Sequence, residues 1–269
     1  MPEPESLHSR IWEEEPEPAD LFLARICRCA GYDVYGEILN KASWIEYLYL
    51  LFKGERPDTV QSALLETLAI ALANPGPRDP SVQAASVAGV GGSTMASRVM
   101  AAAAVGAGQL GGAHEVFHAM RIWEHSGQSF ESWAESLHQA AGEFPVDIWP
   151  DMEHPPGFDP NASCCPTPVL QTLNRLVELA PESNLAWLQL HRGEMESIAG
   201  VPLSMTGVTA ACLYDLGFTP SQGEALTLLF RLPGALAHSL EAEQDGVSRY
   251  PFHHGKLILD DDPGPKKPQ

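Results

Sequence analysis

His114-Glu115-Val116-Phe117-His118 has the His-Glu-x-x-His pattern. On a helix this spacing puts two imidazoles on one face with a carboxylate beside them, the arrangement of zinc peptidases. His125 or Glu124 is the available third ligand for a zinc hydrolase. The longer version of the motif fails, because Arg121 stands where a glycine is needed. The competing reading is the first turn of a helix bordering a cleft, with no metal expected. Cys27-x-Cys29 and the adjacent Cys164-Cys165 match no common zinc module and lie far apart in the chain. They read as small, partly buried thiols. His253-His254 reads as a solvated pair. Gly89-Val90-Gly91-Gly92 follows no strand, so close helix packing explains it better than a phosphate cradle.

The elements that must position these groups are helical almost throughout. Ser43 with Glu46 forms a capping-box pattern before the apolar run Tyr47–Phe52, closed by Gly54 and Pro57. The aromatic stretch Trp44–Phe52 reads as core or dimer surface. Asp58 opens the next helix, in which Val60, Leu64, Leu68 and Leu72 recur every four residues. Residues 74–80 (NPGPRDP) form a loop. Residues 81–106 are rich in Ala, Gly, Ser and Val and read as closely packed helices, with a dimer contact expected there. Residues 145–168 are a proline-rich irregular connection, and Thr167-Pro168 starts a helix. Gly217 ends a helix, and Thr219, Pro220 and Gln222 open the last. No alternation strong enough for a strand is visible, so an all-α fold is expected.

Composition narrows the function classes. The chain has 269 residues, with 35 acidic against 16 basic and a net charge of −19. An acidic surface repels phosphate backbones and anionic lipid, so neither nucleic acid nor membrane is an expected partner. No apolar run approaches the roughly 18 residues of a membrane span. Five cysteines, an odd number, without a secretory signal indicate reduced thiols and a cytoplasmic location. An acidic ligand meets an unfavourable field unless Arg121, Arg231 or Arg249 offsets it.

The order of segments resembles the citrate synthase family. Gly31-Tyr32-Asp33 leads to the helix around Ser43–Gly54. LLETLAIALANPG (64–76) is similar to the family helix ending in an Asp-His-Gly loop. The Ala/Gly-rich segment 84–115 ends in LGGAHE, similar to His-Gly-Gly-Ala-Asn-Glu. EHPPGFDP (153–160) resembles a Gly-His-Pro…Asp-Pro-Arg loop, and 207–244 resembles the last large-domain helices. The resemblance covers about residues 23–245. It implies a citrate-synthase-like helical fold with a large domain at 21–114 and 206–255. A small domain is inserted at 115–205, and tails lie at 1–20 and 256–269.

The resemblance also implies a chemistry. One histidine stabilises the enol of an acyl-CoA, an aspartate removes its proton, a second histidine polarises an oxo acid, and arginines hold carboxylates. Position by position, much of this is missing. Pro75 replaces the histidine of the Asp-His-Gly loop, and Leu110 the enol-stabilising histidine. Met205 replaces the base, and Asn161 an arginine. His154 and Asp159 remain as catalytic candidates, with Arg231 and His238 as substrate-binding candidates. The reading is therefore a degenerate site in a non-catalytic or partner subunit, working as a homodimer or beside an intact paralogue. No bound cofactor is expected, and a coenzyme A thioester is the possible substrate. The alternative is an active enzyme making or breaking a C–C bond between an acyl-CoA and an oxo acid. There His154 would polarise the carbonyl, Arg231 hold a carboxylate, and Asp159 or Glu115 act as base.

Overall fold

A computed structural model describes residues 8–139 and 154–250. The expectations for His253, His254, the 256–269 tail and residues 145–153 lie outside the described residues.

The chain opens with a small antiparallel sheet, β1 (Glu13–Glu17), β2 (Asp20–Cys29) and β3 (Tyr32–Asp33), in the order β1-β2-β3. Residues 13–20, expected as part of an acidic tail, thus belong to a small sheet set beside the expected helices. The strands are held by charge rather than by apolar alternation. Glu13 pairs across to Arg28, and Glu15 takes the guanidinium of Arg28 at 2.6 Å and of Arg25 at 2.9 Å. The acidic run is therefore one side of a set of cross-strand ion pairs.

A π-turn (Val34–Ile38) and the short α1 (Leu39–Lys41) lead into α2 (Trp44–Lys53), α3 (Thr59–Leu72), α4 (Pro80–Val90) and α5 (Met95–Gly106). Next come α6 (Ala113–Ser126), α7 (Phe130–Gln139), α8 (Thr167–Leu179), α9 (Asn184–Ala199), α10 (Met205–Asp215) and α11 (Pro220–Asp245). The start signals act as the sequence indicates. Ser43/Glu46, Asp58/Gln61 and Thr219/Gln222 form reciprocal capping boxes, and Gly54 closes α2 with φ of 73°. α8 differs by one position: Pro166 is its cap and Thr167 is already helical.

The main core gathers Leu64, Leu65 and Leu68 of α3, Met120 and Trp123 of α6, Leu173 and Leu176 of α8, and Leu213 of α10. Helix α10 is its axis: Val208, Ala210, Ala211, Cys212 and Leu213 are all fully buried. A helix buried all round loses its amphipathic stripe, which is what its composition shows.

The small residues of α4 and α5 serve an intrachain purpose. α4 lies directly on α11, where a Cβ on Gly89 would collide with the Ser239 carbonyl. The expectation that these side chains require a second subunit for burial is thus corrected. They let two helices of one chain approach closely. Met100 and Val105 of α5 remain exposed. Among the described residues no helix is long and apolar enough to cross a membrane.

Candidate functional site

The sequence positions singled out by the resemblance converge on one cavity of about 630 Å3. Pro75, Leu110, His154, Asp159, Asn161, Met205 and Arg231 all line it, together with Glu115, Thr206, Thr209 and Asp79. His238 stands behind this wall, its Nε2 3.1 Å from the Asn74 side-chain oxygen.

Three local devices build the cavity floor. First, the loop 155–159 is stitched to the chain entering α10. The Asp159 N–H donates to Pro202 O at 2.8 Å, and the Ser204 N–H to Gly157 O at 3.0 Å. Second, Gly157 (φ 91°) and Gly207 touch backbone to backbone. A Cβ on Gly157 would lie 2.9 Å from Gly207 Cα, so no side chain fits between loop and helix. Third, Glu115, third residue of α6, reaches back to the Gly111 N–H at 2.5 Å. It also accepts from the Gly157 N–H at 2.9 Å and the Thr206 hydroxyl at 2.6 Å. One buried carboxylate thus ties the start of α6, the 155–159 loop and the start of α10 together.

His154 is 3% exposed, with Nε2 3.8 Å from Glu115 Oε1. Its Nδ1 has no partner among the described residues, nor has the hydroxyl of fully buried Thr209. Among the described residues these are the two buried side-chain polar atoms left unmatched, and both residues line the same cavity. An unmatched buried polar atom costs about 1–3 kcal/mol.

At the rim, Arg231 is occupied. Its guanidinium grips the Asp79 carboxylate and donates to Gly111 O at 2.7 Å. Asp79 in turn caps α4 through the Ser81 N–H at 2.9 Å. Among the described residues no other Lys or Arg lines the cavity. Arg121 lies 3.9 Å from Glu124 and Arg249 lies 3.7 Å from Asp245, both away from it.

The zinc-peptidase arrangement is not assembled. His114 faces Glu224 at 3.0 Å while Glu115 is taken up by the network just described. Burial, with the nearby His114 and Arg121, lowers the His118 pKa from 6.5 to about 4. Among the described residues no group of three His, Cys, Asp or Glu converges to hold a metal. Of the cysteines, burial pushes the Cys29, Cys165 and Cys212 thiols up, away from the reactive thiolate form.

Sequence reasoning missed the Asp79–Arg231 clamp, the stitching role of Glu115 and the unmatched Thr209. The last had a faint signal in Thr206-x-x-Thr209, one helical turn apart on α10. The clamp had none, since its partners are 152 residues apart.

No protein-family model matches the sequence, and no curated protein sequence matches it. Solved structures do match in shape. The chain is similar to the citryl-CoA lyase of Hydrogenobacter thermophilus, with a TM-score of 0.67 and 19% identity. That alignment covers 98% of this chain and 94% of that one. It is similar also to the ATP citrate lyase of Methanothrix soehngenii, a structure holding citrate and coenzyme A, with a TM-score of 0.71 and 14% identity. There 97% of this chain matches 43% of the lyase. The citrate synthase of Thermotoga maritima matches over 84% of this chain and 61% of its own, with a TM-score of 0.60 and 19% identity. The fold is therefore citrate-synthase-like, helical with a small N-terminal sheet.

Proposed function

We propose that the protein is a citrate-synthase-fold subunit that holds a small ligand in the Glu115–His154 cavity without carrying out the condensation or cleavage implied by the resemblance. The observation that supports this is the lining itself. Leu110 and Met205 stand on the cavity wall, where the resemblance implies the enol-stabilising histidine and the base. Neither side chain can donate to an enolate or accept a proton, and carbon-acid chemistry needs both groups placed together. The subunit works as an oligomer, with itself or with an intact paralogue, and the exposed Met100 and Val105 of α5 favour a covered surface there.

Incubating the purified chain with acetyl-CoA and oxaloacetate, and separately with citryl-CoA, tests this. The expected result is no release of free coenzyme A in the first mixture and no acetyl-CoA in the second. Turnover in either direction, abolished by His154→Ala, would overturn the reading.

Turnover would favour the second reading, an active C–C bond-forming or -breaking enzyme on a coenzyme A thioester. One observation speaks for it: His154, Glu115 and Asp159 share the cavity. Against it, Glu115 already accepts three hydrogen bonds and Asp159 Oδ1 accepts the Asn161 N–H at 2.8 Å.

A further inference from the structure

We infer that Ser204 is a nucleophile on the cavity wall and cleaves small uncharged carboxylic esters; this rests on the reading that the cavity holds a small ligand. Ester cleavage breaks no C–H or C–C bond, so it needs neither of the groups that Leu110 and Met205 fail to supply.

The first observation is a chain of hydroxyls ending on a carboxylate. The Thr206 hydroxyl donates to Glu115 Oε1 at 2.6 Å. That commits its one proton, so in the 2.5 Å contact between the Ser204 and Thr206 hydroxyls it is Ser204 that donates. A serine at a helix start ordinarily accepts from the second or third N–H of the helix. Ser204 holds that position on α10 and makes no such bond, its hydroxyl being turned to Thr206 instead. It is half-buried and lines the cavity, with the lone pairs of its oxygen unclaimed among the described residues.

The second is the corner on which it stands. Leu203 forms an antiparallel bridge with Phe158, and α10 begins at Met205. Ser204 thus joins an extended residue to a helix whose first turn has no side-chain cap. The N–H of Met205, next after the nucleophile, and its successors in that turn are donors for a developing oxyanion.

The third is charge. Asp79, Glu115 and Asp159 line the wall, and its arginine, Arg231, is already held by Asp79. Anionic substrates, acyl-CoA among them, are disfavoured there, and a neutral ester is not. Leu72, Leu110 and Val116 offer its acyl chain an apolar surface.

The steps balance without a further reagent. Ser204 Oγ bonds to the carbonyl carbon; its proton passes to Thr206 Oγ1 while the Thr206 proton passes to Glu115 Oε1. One negative charge thus moves from Glu115 to the carbonyl oxygen, and the net charge of the site is unchanged. The ester C–O bond then breaks, and the leaving oxygen takes a proton from Thr206 as Glu115 returns its own. Water cleaves the acyl-serine by the same route, giving one carboxylic acid and one alcohol. Glu115 keeps its bonds to the Gly111 and Gly157 N–H groups and acts only through Thr206. A carboxylate working through one intervening hydroxyl is a known way to activate serine.

Phenyl butyrate is the test substrate. Benzyl propyl ketone, with a methylene in place of the ester oxygen, is the binding probe, read by calorimetry and by the imidazole NMR signals of His154. The unaltered chain is expected to release phenol, to leave butyryl-CoA intact, and to take up one diisopropyl phosphoryl group from diisopropyl fluorophosphate, located on Ser204 by peptide mass spectrometry. Ser204→Ala should fall to the uncatalysed rate while still binding the ketone. Thr206→Val should lower kcat roughly a hundredfold with KM unchanged, and Thr206→Ser should restore it. Melting transitions check that each variant is folded; Ser204→Ala removes no cap bond and should melt as the unaltered chain does.

Turnover that survives Ser204→Ala, or phosphorylation elsewhere, would overturn the nucleophile. An unchanged kcat in Thr206→Val would overturn the relay. Ketone binding with neither turnover nor labelling would sink the inference and leave the ligand-holding reading intact. Absence of binding, turnover and labelling together would sink both.

Discussion

Two carboxylates in this protein, Glu115 buried and Asp215 half-buried, are held in nearly the same way and serve different ends. Asp215, at the end of α10, accepts from the Asn184 N–H at 3.0 Å, the Asn184 side-chain amide at 2.6 Å and the Leu185 N–H at 3.0 Å. It pins the start of α9. Glu115, in the first turn of α6, also accepts three hydrogen bonds, but it lines an open cavity beside an imidazole whose Nδ1 has no partner among the described residues. A carboxylate whose surroundings are complete is a joint. One whose surroundings stop short of complete supports a surface for something else.

The largest effect should come from deleting the carboxylate that ties three segments. Glu115→Ala strands two backbone N–H groups and a hydroxyl and should cost about 4 kcal/mol in urea unfolding. It should also abolish any ligand response at His154. Asp215→Ala should cost about 3 kcal/mol by the same measurement but leave ligand affinity per folded molecule unchanged. Equal effects on binding from both would erase the distinction between joint and support.

Gly207→Ala probes the same floor by steric means. Its Cβ would meet Leu203 Cδ1 at 2.8 Å and the Gly157 carbonyl, so about 2 kcal/mol of destabilisation is expected, with a weakened His154 response. Unchanged stability would show that loop and helix are free to separate.

A smaller effect is expected with pH. The unfolded chain takes up a proton near 6.5 that folded His118 does not take until about 4. Stability is therefore lost as pH falls through that window, by of order 1 kcal/mol, and His118→Gln should flatten the profile there. Asp215 has the opposite sign. Burial raises its pKa, so its contribution is present below the unfolded value and is lost as pH rises through the folded one. Asp215→Asn should remove that component and leave the His118 component in place.

The smallest effect belongs to Thr209→Val. Its hydroxyl has no partner among the described residues, so the isosteric change should stabilise the ligand-free protein, by about 1 kcal/mol. A loss of stability would mean that the hydroxyl is already satisfied.

Much of the frame was legible in the sequence because caps and turn residues act locally. Ser43 with Glu46 and Thr219 with Gln222 make their bonds within one helical turn, so spacing alone specifies them. The convergence of Pro75, Leu110, Met205, Asn161, His154, Asp159 and Arg231 on one cavity was legible too, since a resemblance in segment order carries positions along with it. The N-terminal sheet was not. β2 exposes Leu21 and Phe22 and alternates weakly, and its strands are matched by the charges of Glu13, Glu15, Arg25 and Arg28. A reading based on apolar period has no purchase on such a pair.

By itself, then, the sequence determined where helices begin and stop and which side chains carry no acid or base. Leucine and methionine carry no acid or base in any fold. Only the tertiary structure decided the state of the groups that remain. Arg231 is a carboxylate fork or a spent cation according to whether Asp79 lies beside it, and Glu115 is a base or a tie according to how many N–H groups converge on it. Those partners come from distant parts of the chain, and a charge has no fixed meaning until its neighbours are in place.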